Sequence, residues 1–389
     1  MGSRAVIGEL IDLGMGKLAR RGFHLNQVAI VPSRRTRDTE DVSTAWQLDA
    51  FTFSIPMMTH PSDATVSPHT AVSIGELGGL GVLNAEGLWT RYDDPRSQLA
   101  ALAAAAHEDS TALAQKIYSE PIKPHLIAER IHQMQEIAAS KGTESDARIP
   151  IAVRLSPQHT EEYAPLAVAA GVDVLVIQGT IVSAEHVSTE GSPLNLKQFI
   201  ADLEIPVVVG GCTNYQTALH LMRTGAAGVI VGMGEDPWAT SDEVLGIRVP
   251  MATAIADAAA ARRDYLDETG GRYVHVVADG GISTSGDIGR AIACGADAVM
   301  LGEPLSAAEE APGQGAWWHP AATHPKLPRG LISDRGERPL RADLRTVLHG
   351  PATDPTGALN LFGGLRRMMA KTGYRDVKAL QKVDLVLDA

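Results

Sequence analysis

The feature that most constrains this chain is a set of eight short apolar runs, separated for the most part by helix-forming stretches. They are IPMMTH (55–60), GGLGVLN (78–84), IPIAVRL (149–155), DVLVIQG (173–179), IPVVVGG (205–211), GVIVGMG (228–234), VHVVADGG (274–281) and AVMLGE (298–303). Most are unbroken Val, Ile and Leu, without polar alternation. A strand reads that way when both of its faces are buried, as in parallel sheets covered by helices. The gaps carry helical patterns such as KPHLIAERIHQMQEIAAS, EEYAPLAVAAG and PMATAIADAAAARRDYLDETG. Eight βα units are the count of a (β/α)8 TIM barrel. A doubly wound open sheet gives the same alternation, and the count of eight disfavours it.

Composition narrows the function classes. Hydrophobic residues at 44% supply a large core. Aromatic residues are only 4% and the net charge is −12, which speaks against nucleic-acid and membrane-surface binding. Two cysteines, Cys212 and Cys294, exclude a disulfide framework. No apolar run reaches the length of a bilayer span, and the N-terminal stretch has no signal-peptide core, so a cytoplasmic protein is expected.

Two stretches exceed a minimal barrel. Residues 85–148 read as two helices with a polar joint, AAAAHEDS. Residues 304–361 are rich in Pro, Gly and His. As a long irregular segment after the eighth strand, they read either as an active-site lid or as an interface arm.

Barrel active sites lie at the C-terminal ends of the strands. That places Thr59, His60, Ser62 and Asp63 after strand one and Asn84 after strand two. Arg154 and Ser156 fall near the end of strand three, Gln178 at the end of strand four, and Cys212 and Asn214 after strand five. The loop GMGEDPWATSDEVLG (232–246) follows strand six, with Gly232 and Gly234 suited to close approach. Its Glu235, Asp236, Asp242 and Glu243 are either acid–base groups or a solvated rim. The strongest local signal is ADGGISTSGDIGRAIACGADAVMLGE. Asp279, Gly280 and Gly281 at a strand end, a helix start behind them and Gly302 on the next strand are the parts of a phosphate site. His60 reads as a ligand or general base, or as a structural histidine, and Cys212 as a nucleophile or as inert packing.

Together these motifs resemble the IMP dehydrogenase/GMP reductase superfamily. The resemblance runs from FHLNQVAIVPSRRTR (23–37) through IPMMTHPSDATVS, GGLGVLN and VPMATAIADA to ADGGISTSGDIGRAIACGADAVMLG, AEEAPG (308–313) and GGLRRMMAKTGY. It implies one barrel domain over 1–389 without the CBS-domain insert, like the CBS-less members of actinobacterial type. It implies a purine nucleotide such as IMP, with its ribose on Asp279 and its phosphate against Gly280, Gly281 and Gly302. Thr59 and Ser62 stand where the family contacts the nucleotide. NAD or NADP is the implied cofactor, with Gln178 at the position that holds the nicotinamide ribose. A monovalent cation beside the strand-six loop and a homotetramer are further implications.

The departures carry equal information. Aligned on Gly234 and on Val244-Leu245-Gly246, Ala239 takes the place of the family's nucleophilic Cys and Ser241 that of its Thr. Alanine has no lone pair with which to form the thioether adduct. Gln178 replaces the family's Asp, and Glu303 replaces its phosphate-binding Ser. Three functions follow. The first is an IMP-like oxidoreductase that uses another group, with Cys212 and Ser241 as catalytic candidates. The second is a catalytically inactive or regulatory purine-nucleotide binder. The third, and least favoured, is an FMN-dependent barrel oxidoreductase, because flavin barrels share the phosphate run.

Overall fold

The computed structural model describes residues 10–105, 107–141, 148–187, 189, 193–235, 237–333 and 342–387. Eight parallel strands form one sheet: β1 (Met57–Thr59), β2 (Val82–Asn84), β3 (Ala152–Leu155), β4 (Val174–Gln178), β5 (Val207–Cys212), β6 (Gly228–Glu235), β7 (His275–Gly280) and β8 (Ala298–Leu301). Neighbours pair in chain order, β8 pairs with β1, and the Met58–Leu80 bridge joins β1 to the run entering β2. The sheet therefore closes as the (β/α)8 barrel expected from the count of eight.

The unbroken apolar runs have a direct cause. Alternate residues of each strand face opposite sides, and both sides are buried. Val208, Ile230, Val277 and Met300 belong to a cluster filling the barrel, completed by Trp46, Leu48 and Phe53 of the hairpin Trp46–Leu48/Phe51–Phe53. Val207, Val209, Val229, Val231 and Val276 belong to the larger core with the helices. That outer layer comprises α1 (Pro68–Glu76), α4 (Pro124–Ser140), α5 (Thr160–Ala169), α6 (Leu196–Ala201), α7 (Tyr215–Met222), α9 (Met251–Thr269), α10 (Ser285–Ala293) and α12 (Leu361–Thr372).

The 85–148 stretch departs from the two-helix reading. Among its described residues it holds three helices: α2 (Arg96–Ala103), α3 (His107–Ile117) and α4. The polar joint divides the first two. Pro124 then opens α4 at its first turn, where a missing N–H costs nothing. Leu99, Leu102 and Ala114 of α2 and α3 share a third buried cluster with Trp317, Trp318, Ala322 and Ile332. The extra helices thus make a platform for the segment after β8, which returns as the short ladder Trp317–Trp318/Ile332–Ser333. The short helices α8 (Ser241–Leu245) and α11 (Leu344–His349) complete the set discussed below. No helix among the described residues is long and apolar enough to cross a membrane.

Candidate active site

At the C-terminal end of the barrel, three strand ends meet in a buried polar network. Asp279, closing β7, receives His60 Nδ1 at 3.1 and 3.2 Å on its two oxygens. Gln178 Nε2, at the end of β4, donates to Asp279 Oδ2 at 2.8 Å. His60 and Asp279 are 3% and 7% exposed. His60 Nε2 and Gln178 Oε1 are buried without a hydrogen-bond partner. The arrangement is a histidine oriented by a carboxylate, itself held by an amide, with the second ring nitrogen uncommitted.

The glycine cradle forms around this network. Gly280 and Gly281 take positive φ, at +121° and +66°, and a Cβ on Gly280 would stand 2.8 Å from the Glu235 nitrogen. These glycines let the strand-six loop approach β7. A Cβ on Gly302 would collide with the Trp317 ring and lie 3.0 Å from His60 Cβ. The cleft is lined by His60, Asp279, Gly280, Gly281, Gly302 and Trp317, with Ser283 and Glu303 at its side. Ser283 Oγ donates to Glu303 Oε2 at 3.4 Å, and Glu303 is 7% exposed.

The segment after β8 lies across the mouth. Ser62 Oγ donates to the Trp318 carbonyl at 2.6 Å, and the His60 ring lies 4.6 Å from that of His319 and 5.9 Å from that of Trp317. Arg329 donates to Thr180 Oγ1, and the Leu331 N–H to the Trp238 carbonyl. Burial, then the charges of His60, Arg154 and Arg329, push His319 well below the usual histidine range, so it is neutral. Beneath this cover Trp318 Nε1 donates to Tyr118 Oη, which donates to Asp63 Oδ2. Burial raises Asp63 to about 6 despite the Tyr118 and Leu88 donors.

Other candidates are brought near without joining the network. Thr59 spends its hydroxyl tying β1 to β2, accepting from the Val82 N–H at 2.8 Å. Cys212 is 1% exposed, its thiol donates to the Ile230 carbonyl, and burial pushes it up to about 12. A thiol in that state is not a thiolate nucleophile at neutral pH. Ser241, buried, opens α8, and Ala239 is half-buried in the loop before it. Gly232, at φ +131°, lets β6 pass against the Asp279 carbonyl, and Gly234 lies further along β6. Glu235 pairs with His24, and Asp242 with Arg248 at 3.1 Å. Asp236 lies outside the described residues. Gln178 commits its amide nitrogen to Asp279 and Met300 Sδ, which leaves Oε1 as its one uncommitted polar atom. Among the described residues no cluster of three or more His, Cys, Asp or Glu forms a metal site.

Sequence reasoning did not single out Trp317, His319 and Tyr118, because strand ends alone do not show which distant segment covers them. The doublet Trp317-Trp318, in a chain with five tryptophans, was the available signal. It also passed over Glu86. Burial would raise that carboxyl, but the hydrogen bond from His159 and the charge of Arg154 hold it down, at about 2.

The family model for the IMP dehydrogenase/GMP reductase domain matches residues 22–336. An uncharacterized oxidoreductase of Mycobacterium tuberculosis is 57% identical over 386 residues, covering 97% of this chain and 100% of that protein. The inosine-5'-monophosphate dehydrogenase of Aquifex aeolicus is 34% identical over 253 residues, 60% of this chain and 48% of that enzyme. The crystal structure of an IMP dehydrogenase/GMP reductase-like protein from Corynebacterium glutamicum superposes with a TM-score of 0.90 at 49% identity, covering 97% of this chain and 98% of that one. Barrel, strand-end motifs and relatives agree, and the chain belongs to the IMP dehydrogenase/GMP reductase family.

Proposed function

We propose that this protein is an IMP dehydrogenase/GMP reductase-type oxidoreductase scaffold that takes a purine nucleotide and does not use the family's cysteine route. One observation carries the reading. The Asp279-Gly280-Gly281 strand end faces Gly302 across a buried cleft, while no thiol is poised there. Ala239 cannot attack purine C2, and Cys212 is protonated and donates to a carbonyl. Asp279 would receive the ribose hydroxyls, exchanging Gln178 or His60 for them. The phosphate would lie along Gly280, Gly281 and Gly302 once Trp317 moves aside. NAD or NADP is the family's hydride partner. With its amide nitrogen on Asp279, Gln178 would meet a nicotinamide ribose only through Oε1, as an acceptor.

A second reading, a nucleotide binder without turnover, is favoured by the covered mouth, where Trp317 stands over Gly302. Two measurements separate them. Calorimetry with IMP, GMP and XMP tests the shared element, with binding expected in the wild type and lost in Asp279→Ala. No binding of any purine nucleotide would sink both readings. IMP-dependent NADH or NADPH formation, run beside Ala239→Cys, then decides between them. Turnover by the wild type supports the oxidoreductase. Turnover by the variant alone supports a scaffold that has lost its nucleophile.

A further inference from the structure

Under the segment after β8, three nitrogen donors stand without acceptors among the described residues. Arg154 Nε and Arg329 Nε are buried and unpaired. His319 accepts the Ala321 N–H on Nδ1 at 3.0 Å, so its own proton sits on Nε2, where no acceptor among the described residues meets it. The three donors share one place. Arg154 is anchored on the Gln178 carbonyl and Arg329 on Thr180 Oγ1, two residues further along the chain. Burial, then the charges of His60, Arg154 and Arg329, hold the His319 ring neutral, and both guanidiniums are therefore close to it. None of these anchors uses the Trp317 indole, so they survive its displacement from Gly302.

This place is short of negative charge. Glu86 lies 3.9 Å from Arg154 but is shared with His159 and the Ser156 N–H. Arg329 pairs with no carboxylate among the described residues, and its two other nitrogens go to Thr180 Oγ1 and the Leu327 carbonyl. Asp63 turns away toward Tyr118 and the Leu88 N–H. Asp279 lies on the other side of His60 and is engaged by His60 and Gln178. A buried N–H left unpaired is costly, and most so on a charged group. The group that satisfies all three donors is an acceptor with no donor of its own, and an anionic one above all.

In the ring of eight strands, β3 and β4 stand opposite β7 and β8. A nucleotide with its phosphate along Gly281 and Gly302 and its ribose on Asp279 would direct its base toward these donors. The loop that carries Ala239 meets them there, since the Trp238 carbonyl accepts the Leu331 N–H. Ala239 takes the place that faces purine C2, so the C2 edge is the part of the base beside Arg329. IMP, XMP and GMP differ only at C2, which bears hydrogen, oxygen or an amino group. An oxygen there meets the donors, and the xanthine ring also ionises readily, which adds negative charge. Hydrogen offers them nothing, and an amino group sets donor against donor. We propose that Arg154, Arg329 and His319 form the subsite for the purine C2 edge, and that they select the 2-oxo base, a xanthine nucleotide, over hypoxanthine and guanine nucleotides. The inference rests on the purine-nucleotide reading above and deepens it by naming the base.

The test is calorimetry of the full chain with XMP, IMP and GMP, for the wild type and for Arg329→Gln. Arg329 has no carboxylate partner, so its replacement strands no buried anion. The wild type should bind XMP about tenfold or more tightly than IMP, as one charge-assisted hydrogen bond provides, and GMP most weakly. Arg329→Gln should lose about tenfold toward XMP and about threefold or less toward IMP, so that retained IMP binding reports an intact fold. Equal affinities of the wild type for XMP and IMP would overturn the subsite while leaving the nucleotide reading intact. So would an XMP preference unchanged in Arg329→Gln; if that variant also bound NAD more weakly, the donors would belong to a dinucleotide diphosphate instead. Binding of no purine nucleotide by the wild type would overturn the nucleotide reading and this inference with it.

Discussion

Asp63 offers the sharpest test of the electrostatics under the mouth. It is 1% exposed, and its Oδ2 accepts from Tyr118 Oη at 2.7 Å and the Leu88 N–H at 3.0 Å. Its Oδ1 has no partner. Burial dominates over those two donors and lifts the carboxyl from its ordinary 3.8 to about 6. Between these values the native state holds a proton that the unfolded chain has already released. Stability contributed by the protonated form is therefore full below about pH 4, is lost as pH rises to about 6, and stays lost above it. At ~1.4 kcal/mol per tenfold, the whole window corresponds to about 3 kcal/mol. Between pH 4.5 and 7.5 the expected loss is about 2 kcal/mol. Asp63→Asn removes the titration. Its amide oxygen can keep both donors, while its NH2 falls where Oδ1 is orphaned, a pH-independent cost of about 1–3 kcal/mol. Urea unfolding of both proteins at the two pH values gives the difference free of other titrating groups. Asn should gain about 2 kcal/mol on Asp in going from pH 4.5 to 7.5. Parallel pH dependences would refute the buried, protonated carboxyl.

Four further outcomes follow from the packing. Trp317→Ala removes a 1% exposed indole from the mouth and should cost about 3–5 kcal/mol in thermal or urea unfolding. The same variant should bind IMP more tightly by calorimetry, because the ring over Gly302 no longer has to be displaced. Arg262→Ala strands Asp297, a 2% exposed carboxylate that also accepts from Tyr273 Oη and the Val276 N–H, and should destabilise by about 3–5 kcal/mol in the same assays. Burial raises Cys212 to about 12 and Cys294 to about 11, so the native protein should react negligibly with iodoacetamide at pH 7.5, whereas the denatured chain should label at both.

The barrel was legible because its cause is local. A strand buried on two faces must be apolar at every position, and that pattern needs no knowledge of its neighbours. The strand-end rule likewise located Asp279, Gln178 and His60, since position along a parallel strand decides which end of the barrel a residue occupies. In 85–148 the polar joint marks the break between α2 and α3 and Pro124 the start of α4, but the packing of α2 and α3 against the segment after β8 was not legible, because it joins residues far apart in the chain.

The sequence by itself determined the closed parallel barrel, the family, and the absence of a cysteine at Ala239. Each is a property of residue type and order. Tertiary structure alone decided that Gln178 turns to Asp279, that Cys212 is sealed against Ile230, and that Trp317 covers Gly302. The physical reason is distance along the chain. Gln178 and Asp279 are 101 residues apart, and Ser62 and Trp318 are 256 apart. No local propensity couples such pairs. They meet because closing the barrel brings all eight strand ends to one face, and burial there makes each polar atom seek whichever partner the fold supplies.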